Sequence, residues 1–219
     1  MSDASWWAWP SLVGLGLLHG LNPGMGWLFA VARGLQDGRA GAVLHAMFFI
    51  AAGHGTAVAA VAVLTAALGQ TVPRPTLLVL SGTALLASGA WRLLRRARHP
   101  RTRFRASGWE MAWWSFLVAT AHGAGLMVAP LLVSLQTPQP SGHHLHGVAS
   151  GGLHLALLAT LVHTAAQLVA MGAAAAAVYR FVGLEVLNRA WINDELVWPA
   201  ALALTGAVAL AAGAVPGGL

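Results

Sequence analysis

The chain has 219 residues, 58% of them hydrophobic and only 8% charged, with a mean hydropathy of +0.69, a balance that excludes an ordinary soluble domain and points to the bilayer as solvent. It contains no cysteine, so disulfides, thiolate metal sites and thiol redox relays are excluded together. A formal charge of +6 would suggest nucleic acid in a soluble chain, but here the arginines fall between apolar stretches and act as topology signals; no nucleic-acid partner is expected.

Six apolar stretches, at about 11–32, 42–68, 75–95, 112–135, 148–178 and 196–215, approach or exceed the roughly 20 residues that one crossing needs. The sequence therefore predicts an all-α polytopic membrane protein of six transmembrane helices, one transmembrane domain over 1–219. Trp6, Trp7, Trp9, Trp91, Trp109, Trp113, Trp114, Trp191 and Trp198 fall near the stretch ends, where an indole N–H reaches the headgroups. Only Trp27 lies inside a stretch.

Trp27 follows an unusual segment, Leu17-Leu18-His19-Gly20-Leu21-Asn22-Pro23-Gly24-Met25-Gly26. A proline flanked by glycines frees backbone groups that lipid cannot satisfy, so such a break persists only where protein buries it or where it lines a cavity. Histidine at that depth is a candidate functional residue by default.

Arg33 and Arg39 follow the first stretch, Arg92 to Arg105 the third, and Arg180 and Arg189 the fifth; Arg74 alone falls on the other side. The positive-inside rule then makes the odd loops cytoplasmic and both termini external. The basic loop 97–108 divides the chain into a first half, 6–96, and a second, 109–215. The fourth loop carries His143, His144 and His146, a candidate external capture tract for a metal ion or a plain polar loop.

The halves resemble each other. Trp6 to Gly20 aligns with Trp109 to Gly123 at a constant offset of 103, pairing His19 with His122, and His45 and His54 align with His154 and His163 at an offset of 109. Three spans per copy is an odd number, so the second copy enters the membrane inverted; two inverted three-helix repeats with a site near their interface is a transporter pattern. Nine residues on a helix are about two and a half turns, which puts His54 and His163 in the interior and their partners His45 and His154 near the two surfaces.

The central set is thus His19, His54, His122 and His163, two from each copy. Imidazole suits zinc, copper, iron and nickel, whereas calcium or magnesium would need oxygen donors that these stretches lack. Asn22 and Gln167 stand three and four residues beyond His19 and His163, as groups along a substrate path. His122, like His19, is followed by a weakly helical stretch, Gly123-Ala124-Gly125 with Pro130 further on, and Met25 and Met127 lie six and five residues beyond the two histidines, either as soft donors or as adaptable packing.

The segment His19-Gly20-Leu21-Asn22-Pro23-Gly24-Met25 resembles the first-span motif of nickel/cobalt transporters and their efflux and urease-accessory relatives, of the form His-Ala-Leu-acid-Pro-Asp/Gly-His. Those families belong to the lysine-exporter superfamily, and the resemblance implies six spans in two inverted repeats and a metal substrate. Asn22 replaces the acid and Met25 the second histidine, which removes a negative charge and softens a donor, leaving room for copper or for a substrate that is not a metal. The missing cysteines exclude the superfamily's thiol-based electron carriers.

The expected function is transport of a transition-metal cation, nickel, cobalt, copper or zinc, through a histidine-lined midplane path in the cell inner membrane. The alternative is a transporter of a small organic solute with the histidines as proton relay. No enzymatic activity and no resident cofactor are expected, the ion being substrate. The bilayer and a second copy of the chain are the candidate partners.

Overall fold

The computed structural model describes residues 6–94, 107–135, 145–181 and 194–214, which contain helices and no strands. In chain order they are α1 (Ala8–Leu21), a 3-10 turn (Pro23–Met25), α2 (Trp27–Asp37), α3 (Ala40–Leu68), α4 (Arg74–Leu94), α5 (Gly108–His122), α6 (Ala124–Leu135), α7 (Leu145–Phe181) and α8 (Asp194–Ala214). Each of the six apolar stretches is helical, and the first and fourth are broken. Helix α3 and residues Gly151–Phe181 of α7 are each long and apolar enough to cross a membrane; α5 and α6 make a third span if the bent pair is one. Leu44, Phe48, Leu161, Val169 and Leu204 are exposed on the helix surfaces, an apolar exterior suited to lipid. Trp6, Trp91, Trp109, Trp113 and Trp114 are exposed as well.

The first break is built so that few polar groups are stranded. Helix α1 ends at Leu21, Asn22 turns extended, and its N–H donates to the His19 carbonyl. The Asn22 side-chain Oδ1 accepts the Gly24 N–H at 2.8 Å, and Pro23 begins the 3-10 turn, where its missing N–H costs nothing. Gly26 then takes φ 102°, a left-handed value that a side chain would strain. The Trp27 indole Nε1–H reaches back to the Leu21 carbonyl at 3.3 Å. The second break is simpler: Gly123 at φ 71° turns the chain by 63° between α5 and α6. Pro130 lies inside α6 and does not end it.

The packing is reciprocal between the two halves. Helix α1 lies along α7, and α5 lies along α3, while α3 and α7 face each other. In the α1–α7 and α3–α5 pairs the backbones approach closely. A methyl at Gly16 or Gly20 of α1 would collide with the His163 or Gln167 carbonyl of α7, and one at Gly53 of α3 with the Ala112 carbonyl of α5. The Ser115 hydroxyl of α5 donates to the Ile50 carbonyl of α3 at 2.7 Å. Helices α4 and α8 meet at Gly82 and Gly206, where a Cβ on either would stand 2.8 Å from the other's carbonyl oxygen. Small residues are what permit such approaches, and van der Waals contact between close backbones drives helix association in lipid.

Two larger cores flank this arrangement. Leu12, Val58, Ala62, Val128, Leu132, Ala156 and Ala159 join α1, α3, α6 and α7; Trp27, Val31, Val43, Met47, Ile50, Met171 and Ala175 join α2, α3 and α7. Ser107 and Glu110 form a reciprocal capping box that starts α5, satisfying two of the helix's terminal donors. The arginines from Arg95 to Arg105, together with Glu185 and Arg189, lie outside the described residues.

Candidate metal centre

Three imidazoles from three helices converge inside the bundle. His19 comes from the last turn of α1, His54 from the middle of α3 and His163 from the middle of α7, and they are 0%, 1% and 0% exposed. Their ring centroids lie 5.4 Å apart for His19 and His54, 4.9 Å for His19 and His163, and 5.9 Å for His54 and His163. One ring nitrogen from each lies within 4.8 Å of the other two. Nitrogens sharing one ion stand roughly 3.4 Å apart, given metal–nitrogen bonds of about 2.0 Å, so binding one ion would draw the three rings closer together.

The local sequence fixes how each ring is presented. His19 Nδ1–H donates to the Leu15 carbonyl one turn back, at 2.8 Å. His163 Nδ1–H donates across the helix interface to the Leu12 carbonyl, at 3.2 Å. A carbonyl can only accept, so both rings carry their proton on Nδ1 and direct a lone pair from Nε2, the arrangement that metal-ligating histidines take when a backbone acceptor holds the other nitrogen. The Nε2 atoms of His54 and His163 have no hydrogen-bond partner among the described residues. Buried polar atoms are nearly always paired, so two such nitrogens within one buried histidine group mark a place for a ligand.

The surroundings add polar groups without charge. Gln167, one turn beyond His163 on α7, is fully buried, and neither end of its amide has a partner among the described residues. The Thr164 hydroxyl is likewise unpartnered there, at the point where Gly55 of α3 passes α7. The chain's six acidic residues are Asp3, Asp37, Glu110, Glu185, Asp194 and Glu195. Asp37 ends α2 and pairs with Arg33 at 2.9 Å, Glu110 caps α5, Asp194 and Glu195 begin α8, and Asp3 and Glu185 lie outside the described residues. No acidic residue stands in the interior of a described helix.

The remaining site candidates fall elsewhere. His122 ends α5, half-buried, with Nδ1–H donating to the Val118 carbonyl at 2.6 Å; it is not one of the three mutually close histidines. Asn22 spends its side chain on the turn. Met25 and Met127, one from each break, are buried together with Leu85 and Leu202. His45 and His154 are exposed, and His45 packs edge-on against Phe49. His143 and His144 lie outside the described residues, and His146 falls in the first turn of α7. What the sequence reading does not single out is the Gly16-x-x-x-Gly20 pair, whose small-x-x-x-small spacing lets α1 approach α7 and so sets His19 beside His163.

Comparison with protein-family models, with curated proteins and with solved structures finds no match to the chain.

Proposed function

We propose that this protein is a transporter of a transition-metal cation, built as six transmembrane helices in two inverted three-helix repeats with both termini external, in the cell inner membrane. The observation that carries the reading is the convergence of His19, His54 and His163 in a fully buried group, in which the Nε2 atoms of His54 and His163 have no hydrogen-bond partner among the described residues. The reciprocal packing of α1 on α7 and of α5 on α3 supports the repeat, since a two-fold axis relating the halves exchanges those pairs. The broken helix beside His19 supports a transport path, because irregular backbone within lipid is kept where a cavity or a substrate uses it. The resemblance of His19 to Met25 to the first-span motif of nickel/cobalt transporters points the same way. His122, His143, His144 and His146 are then positions along the route of entry or exit.

The test is metal movement by purified protein in liposomes, with a metal-sensitive dye inside. Flux of one of nickel, cobalt, copper or zinc through the wild type, abolished in both His54→Ala and His163→Ala, supports the reading. Wild-type flux from both variants, or none from folded wild-type protein with any of the four metals, overturns it.

A further inference from the structure

We infer that the ion taken by His19, His54 and His163 is a soft monovalent cation, Cu(I), rather than a divalent ion; this deepens the metal reading above and rests on it. The charge of the site is the reason. Three imidazoles, the Gln167 amide and the Thr164 hydroxyl are all neutral, and no carboxylate stands within a described helix interior to offset positive charge. The partners that hold Nδ1 of His19 and His163 are backbone carbonyls, not the carboxylates that often stand behind metal-ligating histidines and neutralise part of the charge. The cost of burying an uncompensated ion grows as the square of its charge, so a divalent ion costs about four times as much as a monovalent one here.

Coordination number points the same way. Zinc bound by three histidines completes its shell with water from an open position, and nickel and cobalt commonly take more ligands still. The three histidines are 0%, 1% and 0% exposed, so bulk water does not reach the ring nitrogens. A filled-shell monovalent ion such as Cu(I) is content with two or three ligands and shows no geometric preference from its d electrons. Three converging nitrogens meet that requirement in full. Gln167, buried one helical turn beyond His163, brings no negative charge to its surroundings.

The experiment is competition in detergent-purified protein, using Ag(I) as a redox-inert monovalent probe, Cu(I) held by a coloured chelator under anaerobic conditions, and Zn(II), Ni(II) and Co(II). One equivalent of Ag(I) and of Cu(I) per chain is expected to bind at least about 100-fold more tightly than any of the divalent ions, with the affinity lost in His54→Ala. Gln167→Glu, which places a carboxylate one helical turn from His163, is expected to move the preference toward Zn(II) by about tenfold or more. Divalent binding as tight as Ag(I), lost in His54→Ala, overturns the monovalent assignment while the metal site stands. An unshifted preference in Gln167→Glu overturns the charge argument. If neither charge class binds to the folded wild type, the metal reading itself falls.

Discussion

Gly20 on α1 sits so close to α7 that a methyl group in its place would overlap the backbone carbonyl of Gln167, and would stand 2.8 Å from the Cβ of Ala170. The same helix carries Gly14, where an added methyl meets nothing within 4 Å. Gly20→Ala is therefore expected to destabilise the protein by about 1–3 kcal/mol, the usual cost of forcing atoms into a close-packed interface. Gly14→Ala is expected to be neutral or stabilising by up to about 1 kcal/mol, because alanine is the better helix former. Thermal unfolding in detergent checks both. Equal melting temperatures for the two variants would mean that the α1–α7 approach is not what holds His19 against His163.

The three mutually close histidines should also separate functionally from the rest. Removing His54 or His163 is expected to weaken metal binding by more than about tenfold, at least the loss seen when a residue supporting a metal ligand is removed. His45→Ala and His154→Ala, at exposed positions, are expected to leave it unchanged, and so is His122→Ala. Titration of each purified variant with the tightest-binding metal reads this out. A loss in His122→Ala equal to that in His54→Ala would restore the four-histidine site that the repeat alignment suggests.

That alignment shows what the sequence discloses and what it does not. The helical stretches follow from hydropathy, and the breaks follow from Pro23 flanked by Asn22 and Gly24, and from Gly123. Nine-residue spacing on a straight helix puts His45 and His54, and likewise His154 and His163, on opposing faces; that His54 and His163 are the buried members is set by the packing of α3 and α7. Membership of the three-histidine group does not follow, because His19 and His122 are equivalent in the alignment but end helices that stop differently. After His19 the chain runs two more residues of α1 and then folds into a 3-10 turn. After His122 it bends at once by 63° at Gly123. The sequence does carry Ser107-x-x-Glu110 at the start of α5 and Gly16-x-x-x-Gly20 on α1, the signals of a helix start and of a close helix approach. Which helix would lie against those glycines is a tertiary matter that spacing within one helix leaves open.

Asn22 offers a test of structural against substrate roles. Its Oδ1 accepts the Gly24 N–H and so caps the turn after α1. Asn22→Ala is expected to cost about 0.5–2 kcal/mol, the range for losing such a cap, while Asn22→Ser and Asn22→Asp retain an acceptor oxygen and should lose little stability. If the cap is its whole contribution, Asn22→Ser also transports metal at close to the wild-type rate. Wild-type stability with transport abolished in Asn22→Ser would instead give the side chain a direct part in the path.

Gln167 is the sharpest case, because its effects on stability and binding should run in opposite directions. A fully buried amide with no partner at either end among the described residues carries a desolvation cost of about 1–3 kcal/mol in the empty protein. Leucine has nearly the same volume and nothing to desolvate. Gln167→Leu is thus expected to raise the melting temperature of metal-free protein, while weakening metal binding if the amide faces the ion or a water bound to it. Differential scanning calorimetry and metal titration on the same preparation distinguish the outcomes. A rise in stability with unchanged affinity would remove Gln167 from the site, and a fall in stability would mean that its amide is paired in the membrane, by water or by a residue outside the described segments.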